Sequence, residues 1–120
     1  MTDIILALDV TDKEQALTIA KVTVPYLDKI KIGYPLVLAE GLGIATELSG
    51  LGLPLIADFK VADIPNTSRL IAEEVFSHGF SAIICHGFVG HDSVQACVET
   101  AHDNQGECYV VTEMSHPGAV

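Results

Sequence analysis

Leu55-Ile56-Ala57-Asp58-Phe59-Lys60-Val61-Ala62-Asp63-Ile64-Pro65 is the stretch whose reading decides the fold. It opens as an apolar run, Leu55 to Phe59, broken only by Asp58. It lacks the strict apolar–polar alternation of a strand with one wet face. Strands covered on both faces read this way, and those are mainly parallel strands. The run closes in charge, with Asp58, Lys60 and Asp63. Pro65 follows at once, and Pro suits the first turn of a helix because its missing N–H has no partner there anyway. A covered strand that ends in acids and a base and then enters a helix is one βα unit. Its polar residues lie at the strand's carboxyl end, where parallel α/β proteins place their sites.

Four further runs have the same character: Ile4 to Leu8, Lys29 to Ile32, Ala82 to Cys85 and Tyr109 to Val111. Helical segments separate them. Thr11-Asp12-Lys13-Glu14 has a capping-box pattern with Thr11 as the cap, followed by Ala16, Ile19, Ala20 and Val24 at helical spacing. Pro35 opens a second helix that ends near Gly50. The third begins at Pro65 with an apolar stripe of Leu70, Ile71, Val75 and Phe76. The fourth starts near Asp92 and runs through Val94, Cys97, Val98 and Ala101. Gly79 and Gly106 fall where left-handed helix caps are wanted. The order β-α-β-α-β-α-β-α-β predicts a parallel α/β sheet over residues 1–120 as a single domain. Two folds share that order: a doubly wound five-stranded sheet, and the first half of a (β/α)8 TIM barrel, which in full takes about 250 residues.

The formal net charge of −10 makes nucleic acid and anionic membrane surfaces poor candidate partners. The three cysteines, Cys85, Cys97 and Cys108, are odd in number and without CxxC spacing. They read as buried thiols in a reducing compartment rather than a disulfide framework or a zinc site. Met1-Thr2-Asp3 lacks the basic start of a signal peptide, and no apolar run approaches the roughly 20 residues that span a bilayer. The expectation is a cytoplasmic location.

Asp9 closes the first run, Lys31 lies in the second, Asp58 and Lys60 close the third, and His86 the fourth. Thr112, Glu113 and Ser115 follow the fifth. Side chains alternate along a strand, so Asp58 and Lys60 point the same way. With Asp63 just beyond, Lys60 is expected between two carboxylates that hold it protonated, and Lys31 adds a second cation. Opposite charges about 4 Å apart attract by roughly 4 kcal/mol at an effective dielectric near 20. Such a row suits delivery of a proton to carbon from a cationic acid; a purely structural ion-pair network is the alternative reading.

Five blocks then point to a family: Leu6-Ala7-Leu8-Asp9, Lys31-Ile32-Gly33-Tyr34-Pro35, Ala57 through Pro65, His86-Gly87-Phe88 and Glu113-Met114-Ser115-His116-Pro117-Gly118. In content and order they resemble the archaeal-type orotidine 5′-monophosphate decarboxylases, and the likeness covers essentially the whole chain. The resemblance implies a TIM barrel that converts orotidine monophosphate to UMP and CO2 without cofactor or metal. It implies catalytic roles for Lys60 as proton donor to C6, Asp58 beside the substrate carboxylate, Lys31 bracing Asp58 and binding the ribose, and Asp63 reaching into the partner subunit's site. It implies substrate contacts from Asp9, Lys31, Ile64, Thr67 and Ser115, with Ile64 and Thr67 crossing a homodimer interface and Ser115 starting a lid. In that family the phosphate is held by residues of the late strands, including an Arg. The only Arg here, Arg69, lies in the third helix. The phosphate site is therefore expected from a C-terminal half-barrel.

Three other readings compete. Magnesium-dependent sugar-phosphate enzymes of the same superfamily, 3-keto-gulonate 6-phosphate decarboxylase and hexulose phosphate synthase, carry Glu where Lys31 stands, and a cation there opposes magnesium. A receiver signalling domain needs a second acid beside Asp9, where Val10 stands, and a Lys-Pro after strand five. A catalytically silent half-barrel is the third. His78, His91 and His102 read as surface residues, whereas His86 and His116 are candidates for supporting roles.

Overall fold

The computed structural model describes residues 2–120. Five strands, β1 (Ile5–Ala7), β2 (Lys29–Gly33), β3 (Leu55–Val61), β4 (Ala82–His86) and β5 (Glu107–Val111), are joined through five helices. These are α1 (Lys13–Thr23), α2 (Tyr34–Glu40), α3 (Gly43–Ser49), α4 (Pro65–Ser77) and α5 (His91–Asp103). All neighbouring strands are parallel, and the sheet order is β1-β2-β3-β4-β5. A doubly wound sheet would place β1 inside, so the consecutive order selects the barrel winding.

The sheet also curls. Lys29 of β2 donates from Nζ to Tyr109 Oη at 3.0 Å and to Glu107 Oε1 at 3.2 Å, both on β5. Three strand intervals span about 14 Å in a flat sheet, and side chains standing off such a sheet would not meet.

The convex face holds the core. Leu8, Ile30, Ile32, Leu55, Ala57 and Ile83 are buried there beneath Ala16, Ala20, Leu36, Leu48, Ala72 and Val75 of the helices. Each fully buried Leu or Ile stabilises by about 1.5–3 kcal/mol relative to exposure. The concave face is open. Ile5, Ala7, Ile56, Ile84 and Tyr109 line a hollow of about 290 Å³, and Ile5 remains 42% exposed.

Several local expectations are corrected. The cap of α1 is Asp12 rather than Thr11; its carboxylate accepts from the Gln15 N–H at 2.8 Å. Residues 35–50 form two helices, because Gly41 takes a φ of 82°, a conformation that ends α2. In α4 the buried positions are Ser68, Ala72 and Val75, whereas Leu70 is 49% exposed and Ile71 and Phe76 are half-buried. Helix α4 also packs closely on α5, whose own buried residues are Ser93, Cys97, Thr100 and Ala101. The left-handed residue after α5 is Gln105, with φ 55°, not Gly106. Gly106 serves close approach instead: a Cβ there would lie 2.5 Å from Phe76 Cε1 and 2.8 Å from the Ser81 carbonyl oxygen.

Candidate active site

The strand ends bring charge to the mouth of the concave face. β2 ends at Gly33, which pairs with Asp58 of β3; a Cβ at Gly33 would sit 3.2 Å from the Asp58 carbonyl oxygen. The missing side chain therefore lets the two strand ends close up. Asp58 is the centre of the cluster. Its Oδ1 accepts from Lys60 Nζ at 2.8 Å, and its Oδ2 lies 3.4 Å from Lys31 Nζ. The Asp58 side chain is only 14% exposed, so its charge is shielded from solvent and answered by two ammonium groups.

β3 reaches this arrangement through a distortion. Its pairing with β4 passes from Ala57↔Ile83 to Val61↔Cys85, so four steps on β3 match two on β4. Within that bulge Lys60 adopts φ 45°, in the left-handed region that L side chains avoid. Bulges re-aim side chains next to sites, and here the result is that Lys60 stands beside Asp58.

A hollow of about 340 Å³ opens at this cluster, bounded by Lys31, Asp58 and Lys60 on one side and by Glu113, Met114 and Ser115 on the other. Ile84 and Val111 form its apolar floor. Beside it, His86 packs on Phe88 with ring centroids 4.7 Å apart. His86, Phe88 and His116 border a second, adjoining hollow of about 250 Å³ that shares Val111, Glu113 and Met114 with the first.

The structure thus joins Lys31, Asp58, Lys60 and Ser115 around one space. It does not join every candidate. Asp9 lies exposed in the loop after β1 and takes part in no ion pair among the described residues. Lys60 is not flanked by two carboxylates. The Asp63 carboxylate accepts from the Ile64 N–H at 2.7 Å at the entry to α4, and among the described residues Lys60 has Asp58 alone as its ion-pair partner. Ile64 is 64% exposed and Thr67 half-buried, on the same outward-facing turn. His78 rests on its own helix, its Nδ1 2.7 Å from the Glu74 carbonyl.

The sequence reading assigned no role to Tyr34, Ile84 or Met114. Ile84 and Met114 line the hollow. The Tyr34 hydroxyl donates to the Phe59 carbonyl, and its ring stacks on Phe59 at 5.2 Å. An aromatic residue directly after a strand-end glycine was the available signal. The Cys85 and Cys108 sulfurs are 3.5 Å apart in the packing of β4 and β5, and Cys97 is buried nearby. The neighbouring Cys85 thiol and then burial hold the Cys97 thiol above its ordinary range. Among the described residues, no three His, Cys, Asp or Glu side chains are grouped to hold a metal ion.

A parallel βα arc with a lysine–aspartate–lysine cluster at its carboxyl ends defines a barrel protein with its candidate site at the usual mouth. Residues 2–120 match the model of the orotidine 5′-phosphate decarboxylase / HUMPS family, and the chain belongs to that family. It is 61% identical over 117 residues to the orotidine 5′-phosphate decarboxylase of Methanococcoides burtonii, covering 98% of this chain and 54% of that protein. It is 56% identical over 117 residues to that of Thermococcus kodakarensis, covering 97% and 53%. A crystal structure of the orotidine 5′-monophosphate decarboxylase of Methanocaldococcus jannaschii, complexed with the inhibitor BMP, superposes with a TM-score of 0.94 at 48% identity. That superposition covers 98% of this chain and 55% of the other. The chain spans about half the length of the curated relatives it matches, and its five strands correspond to the first half of their barrel.

Proposed function

We propose that this chain carries the catalytic half of an orotidine 5′-monophosphate decarboxylase. The observation that supports this best is Asp58 held between Lys60 and Lys31 beside a hollow at the strands' carboxyl ends. The two ammonium groups beside Asp58 offer cations to an anionic carboxylate substrate. In the reaction, the bond from C6 to the carboxylate breaks, CO2 leaves, and the electron pair stays on C6. The Lys60 ammonium faces that developing charge and stabilises it electrostatically. It then transfers its proton to C6, giving UMP, and regains a proton from solvent. Asp58 serves twice: it fixes Lys60 in place, and it crowds the substrate carboxylate more than the departing CO2. Lys31 braces Asp58 from the other oxygen and reaches the ribose, with Asp9 as a further ribose contact. Ser115 meets the pyrimidine edge. The phosphate is gripped by the half of the barrel that the relatives possess beyond the matched region, and its binding energy offsets the carboxylate crowding.

No cofactor or metal is required for these steps. Lys31, 3.4 Å from Asp58, places a cation where a magnesium-dependent sugar-phosphate enzyme would need a ligand, which disfavours that branch. The working unit is a homodimer in the cytoplasm. The turn bearing Asp63, Ile64 and Thr67 meets the neighbouring site, consistent with the outward exposure of Ile64. No described helix is long and apolar enough to cross a membrane.

The test is Lys60→Ala in the full-length protein. Decarboxylation of orotidine monophosphate should become undetectable while UMP binding, followed by calorimetry, stays measurable. Surviving turnover would remove Lys60 as proton donor.

A further inference from the structure

Lys60 sits in a backbone conformation that its own side chain disfavours, and it sits there inside a bulge. Such a residue persists only where its surroundings hold it. The ladder to β4 does not hold it, because register is fixed at Ala57 and again at Val61 and shifts between them. The direct hold comes from β2 and α2. The Tyr34 hydroxyl donates to the carbonyl oxygen of Phe59. That oxygen belongs to the peptide plane joining Phe59 to Lys60, and the tilt of this plane relative to the Lys60 Cα is the Lys60 φ angle. Tyr34 also lies flat on the Phe59 ring, 5.2 Å between centroids and 11° between planes. Phe59 in turn meets the buried Phe80 edge-on at 5.8 Å. Hydroxyl and ring thus fix both ends of the residue that precedes the lysine.

We propose that Tyr34 is a positioning residue for Lys60: its hydroxyl, by anchoring the Phe59–Lys60 peptide plane, keeps the Lys60 ammonium on Asp58 and in line with the reacting carbon. The local sequence is built for this. Gly33 lets the end of β2 approach the Asp58 backbone within a distance that a side chain would obstruct, and Tyr34 is the next residue. Half of the Tyr34 side chain is exposed, yet the burial it has raises its hydroxyl pKa above the ordinary value, so the group is a donor at neutral pH. The role rests on the decarboxylase reading of the site, but the backbone claim does not.

The test uses Tyr34→Phe in the full-length protein, a change that removes one oxygen and keeps the stacked ring. Steady-state kinetics should show kcat reduced on the order of tenfold with KM altered less than about twofold, the signature of a misplaced reacting group rather than of lost binding. The thermal midpoint should stay within a few degrees of the parent. A crystal structure of the variant should show the Phe59–Lys60 peptide rotated, Lys60 out of the left-handed region, and its Nζ withdrawn from Asp58. Unchanged kcat with an unchanged Lys60 backbone overturns the proposal. So does a loss of activity that merely tracks the unfolded fraction while the folded variant keeps the parent Lys60 geometry. If the parent itself shows no decarboxylase activity, the functional reading fails, and the crystal structure of the variant still decides the claim about Tyr34.

Discussion

Gly106→Ala is the substitution whose cost the structure specifies most directly. The added Cβ would lie 2.5 Å from Phe76 Cε1, 3.1 Å from Phe76 Cζ and 2.8 Å from the Ser81 carbonyl oxygen. Non-bonded carbons rest at about 3.5–4.0 Å, so the first contact is short by roughly 1 Å. The Phe76 ring can rotate away at some loss of packing. The Ser81 oxygen cannot, because it accepts the Glu107 N–H at 3.0 Å and so begins the pairing of β5 with β4. Overpacking of this kind costs typically 1–3 kcal/mol, and the fixed carbonyl places Gly106→Ala at the upper end, about 3 kcal/mol. In a full barrel of about twice this length that corresponds to roughly a 6–12 °C fall in Tm, measured by circular dichroism or calorimetry. Gly106→Asn should be worse than Ala, since its larger side chain meets the same obstacles. Adding Phe76→Leu to Gly106→Ala should recover part of the loss, giving a favourable coupling in a double-mutant cycle. A left-handed cap at Gly106 would give the opposite order, with Asn tolerated better than Ala. That order, or a Gly106→Ala variant within about 0.5 kcal/mol of the parent, refutes the close-approach argument.

Other outcomes are equally open to measurement. The hydrogen bonds to Tyr109 and then Glu107 raise the Lys29 pKa above its ordinary value, so its stabilising effect is fully present below about pH 10.4 and fades only at higher pH. The Tm difference between Lys29→Met and the parent should therefore be the same at pH 6 and pH 9, and a difference that shrinks toward pH 9 contradicts the assignment. Gln105→Gly should raise stability by up to about 1 kcal/mol in urea denaturation, because glycine removes the strain of the left-handed cap after α5. A purified 120-residue chain should bind UMP weakly and show no turnover in an absorbance assay of orotidine monophosphate; robust turnover would place the phosphate site within these residues. Mixing an inactive Asp63→Asn protein with an inactive Lys60→Ala protein should restore partial activity through hybrid dimers, and no recovery after confirmed subunit exchange counts against a shared site.

Much of the fold was legible because parallel strands are covered on both faces, leaving unbroken apolar runs such as Leu55 to Phe59 and Ala82 to Cys85. The cluster was legible for a related reason: charge at Lys31, Asp58 and Lys60 interrupts those runs where packing gains nothing from it. What escaped the reading depended on tertiary contact. Lys60 is not a residue whose identity announces positive φ, and the bulge that imposes it arises from pairing with β4. Lys60 lies two residues from Asp58 and three from Asp63, and spacing alone made both carboxylates equal partners. The Asp63 carboxylate turns instead to the Ile64 N–H, a local bond that competes with the longer reach. Gly106 shows the same limit from the other side. Its place just past a helix suggested a cap, but a neighbouring ring and carbonyl set the requirement.

The consecutive strand order also suits the way the chain is made. Each strand pairs with the one emerging just before it, at separations of about 25 residues, as in Ile5 with Lys29 and Ile56 with Ala82. A ribosome adds that length in roughly a few seconds, whereas helix formation and local collapse take about 100 microseconds or less. Every new βα unit therefore emerges to find its template already laid down, and no strand waits for a later one to be inserted beside it. Lys29 is the exception, since its partners Glu107 and Tyr109 emerge three strands later. The growing sheet gains this cross-tie only once the fifth strand has left the tunnel.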